Sequence, residues 1–76
     1  MEQLMSILKG LRPDVDFEKE DKLIDNGVLD SFDLVALVGE INEAFEVEVE
    51  FEDMEPKNFN SAENMYEMIV KLQNEV

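Results

Sequence analysis

Apolar residues recur every three to four positions in three stretches of the chain, and in a fourth they alternate with acids. Leu4, Ile7, Leu8 and Leu11 fall on one side of a 3.6-residue repeat and predict a first helix over residues 2–10, ended by Gly10 and Pro13. Leu34, Leu37, Val38, Ile41 and Phe45 form a second stripe and predict a helix over 31–45. Asp33, Glu40, Asn42 and Glu43 take its other sides. Ala62, Met65, Ile69, Leu72 and Val76 form a third stripe, with Tyr66 and Met68 flanking it. Asn60 or Ser61 is placed to cap the helix that carries it. The alternating stretch is Glu46-Val47-Glu48-Val49-Glu50-Phe51. Alternation is a strand pattern. The chain offers no second strand to pair with it, and a lone strand leaves its backbone groups unsatisfied. It reads instead as an extended connector with Val47, Val49 and Phe51 pointing inward. Pro56 predicts a short helical turn through Phe59, because its fixed φ suits the first position of a helix.

Between the first two helices lies a long connection, residues 12–30, rich in Asp, Glu and Lys. Loops of this length in small domains are functional or carry their own packing. Val15, Phe17, Leu23, Ile24, Val28 and Leu29 are apolar anchors that can pin it across a bundle. The sum is an all-α fold: a small four-helix bundle, three main helices and one short, with a long first loop. It forms a single domain over residues 1–76. With 76 residues and no cysteine, such a domain holds together by packing of apolar helix faces alone.

Charge narrows the partners. Twenty acidic against six basic residues give a net charge of -14. Such a surface repels nucleic acid and anionic membranes and attracts basic patches on other proteins. No stretch approaches the ~20 apolar residues that span a bilayer. Residues 1–11 mix Glu, Gln, Ser and Lys with their apolar residues, so no signal-peptide core is visible. A cytoplasmic monomer with no membrane insertion is expected.

Composition also limits the chemistry. Without Cys or His the chain has no thiol nucleophile, no Cys or His metal site, no Ser-His triad and no imidazole acid-base group. The stretch Gly27-Val28-Leu29-Asp30-Ser31-Phe32 is then the most informative one. A turn glycine leads into an Asp-Ser pair where the second helix begins. Asp30 and Ser31 are common caps. A serine hydroxyl at a solvent-facing helix N-terminus is also a sensible place for a phosphate-linked group, since such termini favour anions.

These residues resemble the acyl and peptidyl carrier proteins. The likeness includes the small acidic bundle, the long first loop and Gly27-Val28-Leu29-Asp30-Ser31-Phe32 opening the second helix. It continues through Leu34, Val38, Ile41 and Phe45, then Val47-Glu48-Val49 and Pro56, to Asn60-Ser61-Ala62-Glu63-Asn64 at the final helix. The resemblance implies that Ser31 is esterified to 4′-phosphopantetheine taken from coenzyme A, with Asp30 beside it capping the helix. It implies a carrier rather than an enzyme, holding an acyl or aminoacyl group as a thioester. A phosphopantetheinyl transferase would load the arm. An acyl- or aminoacyl-activating ligase and downstream acyl-transferring enzymes with basic patches would use it. Phe32, Asp33, Val35, Glu40 and Glu43 are the expected partner-binding surface.

Phe32 stands where many fatty-acid carriers have Leu, and an aromatic there is similar to some D-alanyl carriers. Ala36, Gly39 and Asn42 stand where carboxylates are common. A D-alanyl or other aminoacyl carrier is therefore the alternative. Two more distant readings are an EF-hand-like loop and a helical interaction module without covalent modification. In the first, Asp14, Asp16, Glu18 and Asp25 occupy relative positions 1, 3, 5 and 12. Lys19 replaces the required Gly, and Lys22 sits at position 9, so two cations oppose binding a third. Ser6, inside a helix, and Ser61, a cap, are weaker candidates than Ser31 for carrying a group.

Overall fold

The structure, a computed structural model, describes residues 1–74. Val76, the last position of the third apolar stripe, lies outside the described residues. Four helices follow in chain order: α1 (Glu2–Leu11), α2 (Ser31–Phe45), α3 (Pro56–Phe59) and α4 (Ala62–Asn74). A single 3-10 turn, Phe51–Asp53, interrupts the connector between α2 and α3. Among the described residues there is no strand.

α1 runs through Gly10 and stops at Leu11, one residue beyond the expected end. Arg12 leaves the helical region, with φ -137 and ψ 82. Its neighbour Pro13 imposes that change, because a residue before proline is pushed toward extended backbone. Pro13 therefore ends the helix, and Gly10 does not. α2 ends differently. Glu46 takes a left-handed conformation, φ 55 and ψ 44, and its N–H donates to the Asn42 carbonyl. The Asn42 side chain then accepts the Val49 N–H at 2.9 Å. This asparagine turns the chain back along the bundle after the helix is spent.

The core gathers one stripe from each long helix. Leu4 and Leu8 of α1, Leu37 and Ile41 of α2, and Met65 and Ile69 of α4 are fully buried, together with Phe59 of α3. Met68 belongs to this core rather than its flank, while Tyr66 is half-buried. The long loop contributes as much as a helix would: Phe17, Leu23 and Leu29 are buried, and Val15, Ile24 and Val28 pack half-buried against them. No buried polar side chain occurs among the described residues.

Phe51 departs from the expected inward direction. It is 91% exposed, while Val49 is buried and Val47 half-buried. Alternation holds only while the backbone is extended, and the chain tightens into the 3-10 turn at Phe51. Asp53 locks that turn: its N–H donates to the Glu50 carbonyl at 3.0 Å, and its carboxylate accepts the Glu50 N–H at 3.1 Å.

Asn60 ties the long loop to the far side of the bundle. Its side-chain oxygen accepts the N–H groups of Ile24 and Asp25, each at 3.0 Å, and its amide nitrogen donates to Asp25 Oδ2 at 3.2 Å. Its backbone carbonyl accepts the Leu23 N–H at 2.9 Å. The cap of α4 falls to Ser61, whose Oγ accepts the Asn64 N–H at 3.0 Å.

Glu46, Glu48, Glu50, Glu52, Asp53 and Glu55 line one open groove together with Val47 and Leu72. With -14 on the chain and this concentration along one segment, self-repulsion works against the folded state. Salt screens such repulsion over about 10 Å at 0.1 M. The melting temperature should therefore climb steadily as sodium chloride is raised from about 0.02 to about 0.5 M. A flat or falling curve by circular dichroism would show that the acids are spaced widely enough to ignore one another.

Candidate functional site

The approach to α2 is a tight turn held at both ends by core leucines. Gly27 adopts φ 70, a left-handed value that costs glycine nothing and strains a side-chain-bearing residue. Its N–H donates to the Ile24 carbonyl at 3.0 Å, and the Leu29 N–H returns to the Leu23 carbonyl at 3.0 Å. Since Leu23 and Leu29 are both buried, the turn is clamped to the bundle. Asp30 follows directly from this turn.

Asp30 and Asp33 cap α2 reciprocally. Asp30 Oδ1 accepts the Asp33 N–H at 2.9 Å, and Asp33 Oδ2 accepts the Asp30 N–H at 3.3 Å. Ser31 is the first residue of the helix, it is exposed, and its hydroxyl bonds to none of the described residues. The N–H groups of Ser31 and Phe32 precede the first intrahelical bond, which joins the Leu34 N–H to the Asp30 carbonyl at 2.9 Å. These donors and the positive end of the helix dipole lie at the serine hydroxyl. Free N–H groups and a positive dipole end are the features that favour an anion at a helix start.

Arg12 completes the junction. Its Nη1 donates to the Val28 carbonyl at 3.0 Å and to Asp33 Oδ2 at 2.9 Å, and its Nε reaches Asp14 Oδ1 at 3.4 Å. The hydrogen bond from Arg12 holds the Asp14 carboxyl below its ordinary value, and the hydrogen bonds to Asp14 and Asp33 raise the guanidinium in return. A lowered carboxyl supports folding above its unfolded pKa and ceases to as pH falls through the folded value. Asp14 is open to solvent, so this support is small.

The expected partner surface divides in two. Phe32 is 87% exposed and Val35 66% exposed, and Ala36 and Gly39 continue an outward face of low polarity. Asp33 does not belong to that face. Its side chain is only 18% exposed and is committed to Arg12 and to the cap. Glu40 and Glu43 are exposed, but they border a shallow depression between α1 and α2 with Ile7 and Ala44. At 1.5 Å per residue Glu43 lies about 18 Å along the helix from Ser31 and about 12 Å from Val35.

The remaining candidates stay apart. Asp14 pairs with Arg12, Asp16 Oδ1 accepts the Glu18 N–H at 3.2 Å, and Asp25 bonds Asn60. No three acids converge on a metal-sized point among the described residues. Ser6 is an exposed mid-helix residue of α1, and the hydroxyl of Ser61 is occupied by its cap. Among the described residues no helix is long and apolar enough to cross a membrane.

Arg12 and Asn60 are the residues that sequence reasoning missed. In the sequence Asn60 offers itself as a possible cap, and nothing in its neighbours hints at a bond to residues 24 and 25. Arg12 did carry a signal: it is the chain's single arginine, set among twenty acids, at the boundary of a helix and a loop. The profile of a protein family described as a phosphopantetheine attachment site matches residues 2–69. No curated protein and no solved structure gives a significant match.

Proposed function

Since the chain belongs to the phosphopantetheine-attachment family, the acyl and peptidyl carrier proteins, we propose that Ser31 is the residue that bears the arm. The family carries 4′-phosphopantetheine covalently and works with a phosphopantetheinyl transferase and with the enzymes that act on the cargo. One observation supports Ser31 above all: its hydroxyl is exposed at the start of α2 and engaged by none of the described residues, and the cap there is made by Asp30 instead.

The attachment step follows from what the site has and lacks. Ser31 Oγ forms a bond to the phosphorus of coenzyme A that bears the pantetheine. The diphosphate P–O bond breaks, adenosine 3′,5′-bisphosphate leaves, and the serine proton passes to a base on the transferase. This chain holds no imidazole, and the carboxylates of Asp30 and Asp33 are engaged in the cap. Catalysis therefore belongs to the transferase. Once bound, the arm supplies the thiol that the chain lacks, and an acyl or aminoacyl group rides on it as a thioester. The carrier itself is a cytoplasmic monomer with no reaction of its own in this reading, and a D-alanyl or other aminoacyl group is the alternative cargo.

Incubation with coenzyme A and a transferase should add one phosphopantetheine mass, and fragmentation should place it on Ser31. An unmodified chain, or an arm on another residue, would overturn the assignment.

The low-polarity face beside Ser31 is the surface that partners read. Val35 lies one turn after Ser31 and has no core contact to protect. Val35→Asp should lower the rate of arm attachment or cargo loading about tenfold, which corresponds to ~1.4 kcal/mol of lost recognition. Stability should change by less than about 0.5 kcal/mol, as for most surface substitutions. Transferase kinetics beside urea melts separate the two effects. If loading is unaffected, partners approach from another side.

A further inference from the structure

The start of α2 carries a charge imbalance that one residue corrects. Asp30 and Asp33 place two carboxylates at the turn that opens on Ser31. A phosphodiester on Ser31 adds a third anion to the same turn. The N–H groups and dipole of the helix favour one anion there, not three. Asp33 is also withdrawn from water, its side chain 18% exposed, so its repulsion of a neighbouring anion is poorly screened. Arg12 is the cation that answers it. Its Nη1 lies 2.9 Å from Asp33 Oδ2, the same oxygen that accepts the Asp30 N–H. The same nitrogen holds the Val28 carbonyl at 3.0 Å, two residues before the cap.

We propose that Arg12 is a positioning residue for the arm. It fixes the Asp33 carboxylate and the last turn of the loop, and its charge keeps the start of α2 able to hold a phosphodiester on Ser31. This rests on Ser31 being the attachment residue. The lysines do not replace it: the one salt bridge among the described residues that reaches the start of α2 is Arg12 to Asp33, and the one lysine bridge joins Lys57 to Glu55.

A brace and a counter-charge behave differently once the arm is attached. A residue that only braces the fold lowers the stability of the apo and arm-bearing forms equally. A counter-charge matters more when the third anion is present. The test is therefore a comparison of melting temperatures, apo against arm-bearing, for the wild-type chain, Arg12→Gln, Arg12→Lys, and Arg12→Gln combined with Asp33→Asn. The wild-type protein is first loaded and the arm located by fragmentation. An arm on another residue fails the Ser31 reading at that stage, before any variant is made.

In Arg12→Gln the arm-bearing form should fall about 4 °C further than the apo form, the shift that accompanies a roughly fivefold change in the unfolding constant. The attachment rate should fall by about the same factor. Arg12→Lys keeps the charge and should recover most of the difference. Asp33→Asn in the Gln background removes the uncompensated anion while keeping an oxygen for the Asp30 N–H, and it should abolish the difference. If Arg12→Gln does not fold, Asp33→Asn alone carries the test with the opposite sign, the arm-bearing form gaining a few degrees on the apo form. Equal losses in both forms of Arg12→Gln, or no gain in Asp33→Asn, would overturn the proposal.

Discussion

Replacing Ser31 by alanine should abolish arm attachment completely and leave the fold as it is. Both halves follow from the same geometry. The Ser31 hydroxyl is exposed and bonds to none of the described residues, so nothing in the bundle depends on it. The cap that a serine often supplies comes from Asp30, whose carboxylate holds the Asp33 N–H at 2.9 Å. Alanine also carries a high intrinsic helix propensity. The melting temperature should therefore move by no more than about 2 °C, within the range of ordinary surface substitutions. Attachment, in contrast, needs an oxygen at that atom, and among the described residues no other serine at a helix start has an unengaged hydroxyl. Ser6 sits in the middle of α1, and Ser61 holds its own cap. Intact mass after co-expression with a transferase reads the first half, and a thermal melt reads the second. An arm that persists in Ser31→Ala would end the assignment.

The largest loss of stability from one exposed or half-buried side chain should come from Asn60→Ala. Three hydrogen bonds disappear together: two N–H groups of the loop lose their acceptor, and Asp25 loses its donor. Each such bond contributes about 0.5–1.5 kcal/mol, and the half-buried Ile24 N–H is left unsatisfied as well. The sum is about 2–3 kcal/mol, a substantial part of what a domain of this size has to lose. In melting temperature that is a fall of roughly 10–20 °C. Amide exchange should rise most over residues 23–29, because the Leu23 and Leu29 turn hangs from this asparagine. Urea melts that place the cost below about 0.5 kcal/mol would mean that water replaces the side chain at no loss.

The helices were legible in the sequence because each has a period to announce it. The stripes at Leu4 and Leu8, Leu37 and Ile41, and Met65 and Ile69 are the ones that meet in the core. Pro56 marked the short α3 for a different reason, a backbone angle fixed by its ring. The Asp30-Ser31 pair was readable because it stands at a break between two patterns, loop and stripe. What escaped were contacts between residues far apart in the chain. No period joins Arg12 to Asp33, or Asn60 to Ile24, since such pairs are chosen by the packing of whole helices. Asp33 looked free for partners for the same reason: its exposure depends on an arginine twenty-one positions earlier. Phe51 misled in the opposite way. Its place in an alternating run suggested burial, and a local turn, set by Asp53 two residues later, sent it to solvent.

The tie at Asn60 also sets an order of events. Its bonds to Ile24 and Asp25 span 36 and 35 positions, close to half of the chain. The entropy of closing such a loop is lost before any of those bonds rewards it. Helices formed from local contacts can assemble first, and the loop settles on them afterwards. Contacts made late on the folding path slow unfolding more than they speed folding. On that order the loop around Ile24 and Asp25, which leads into α2, is expected to close after the helices have met and to open before they part.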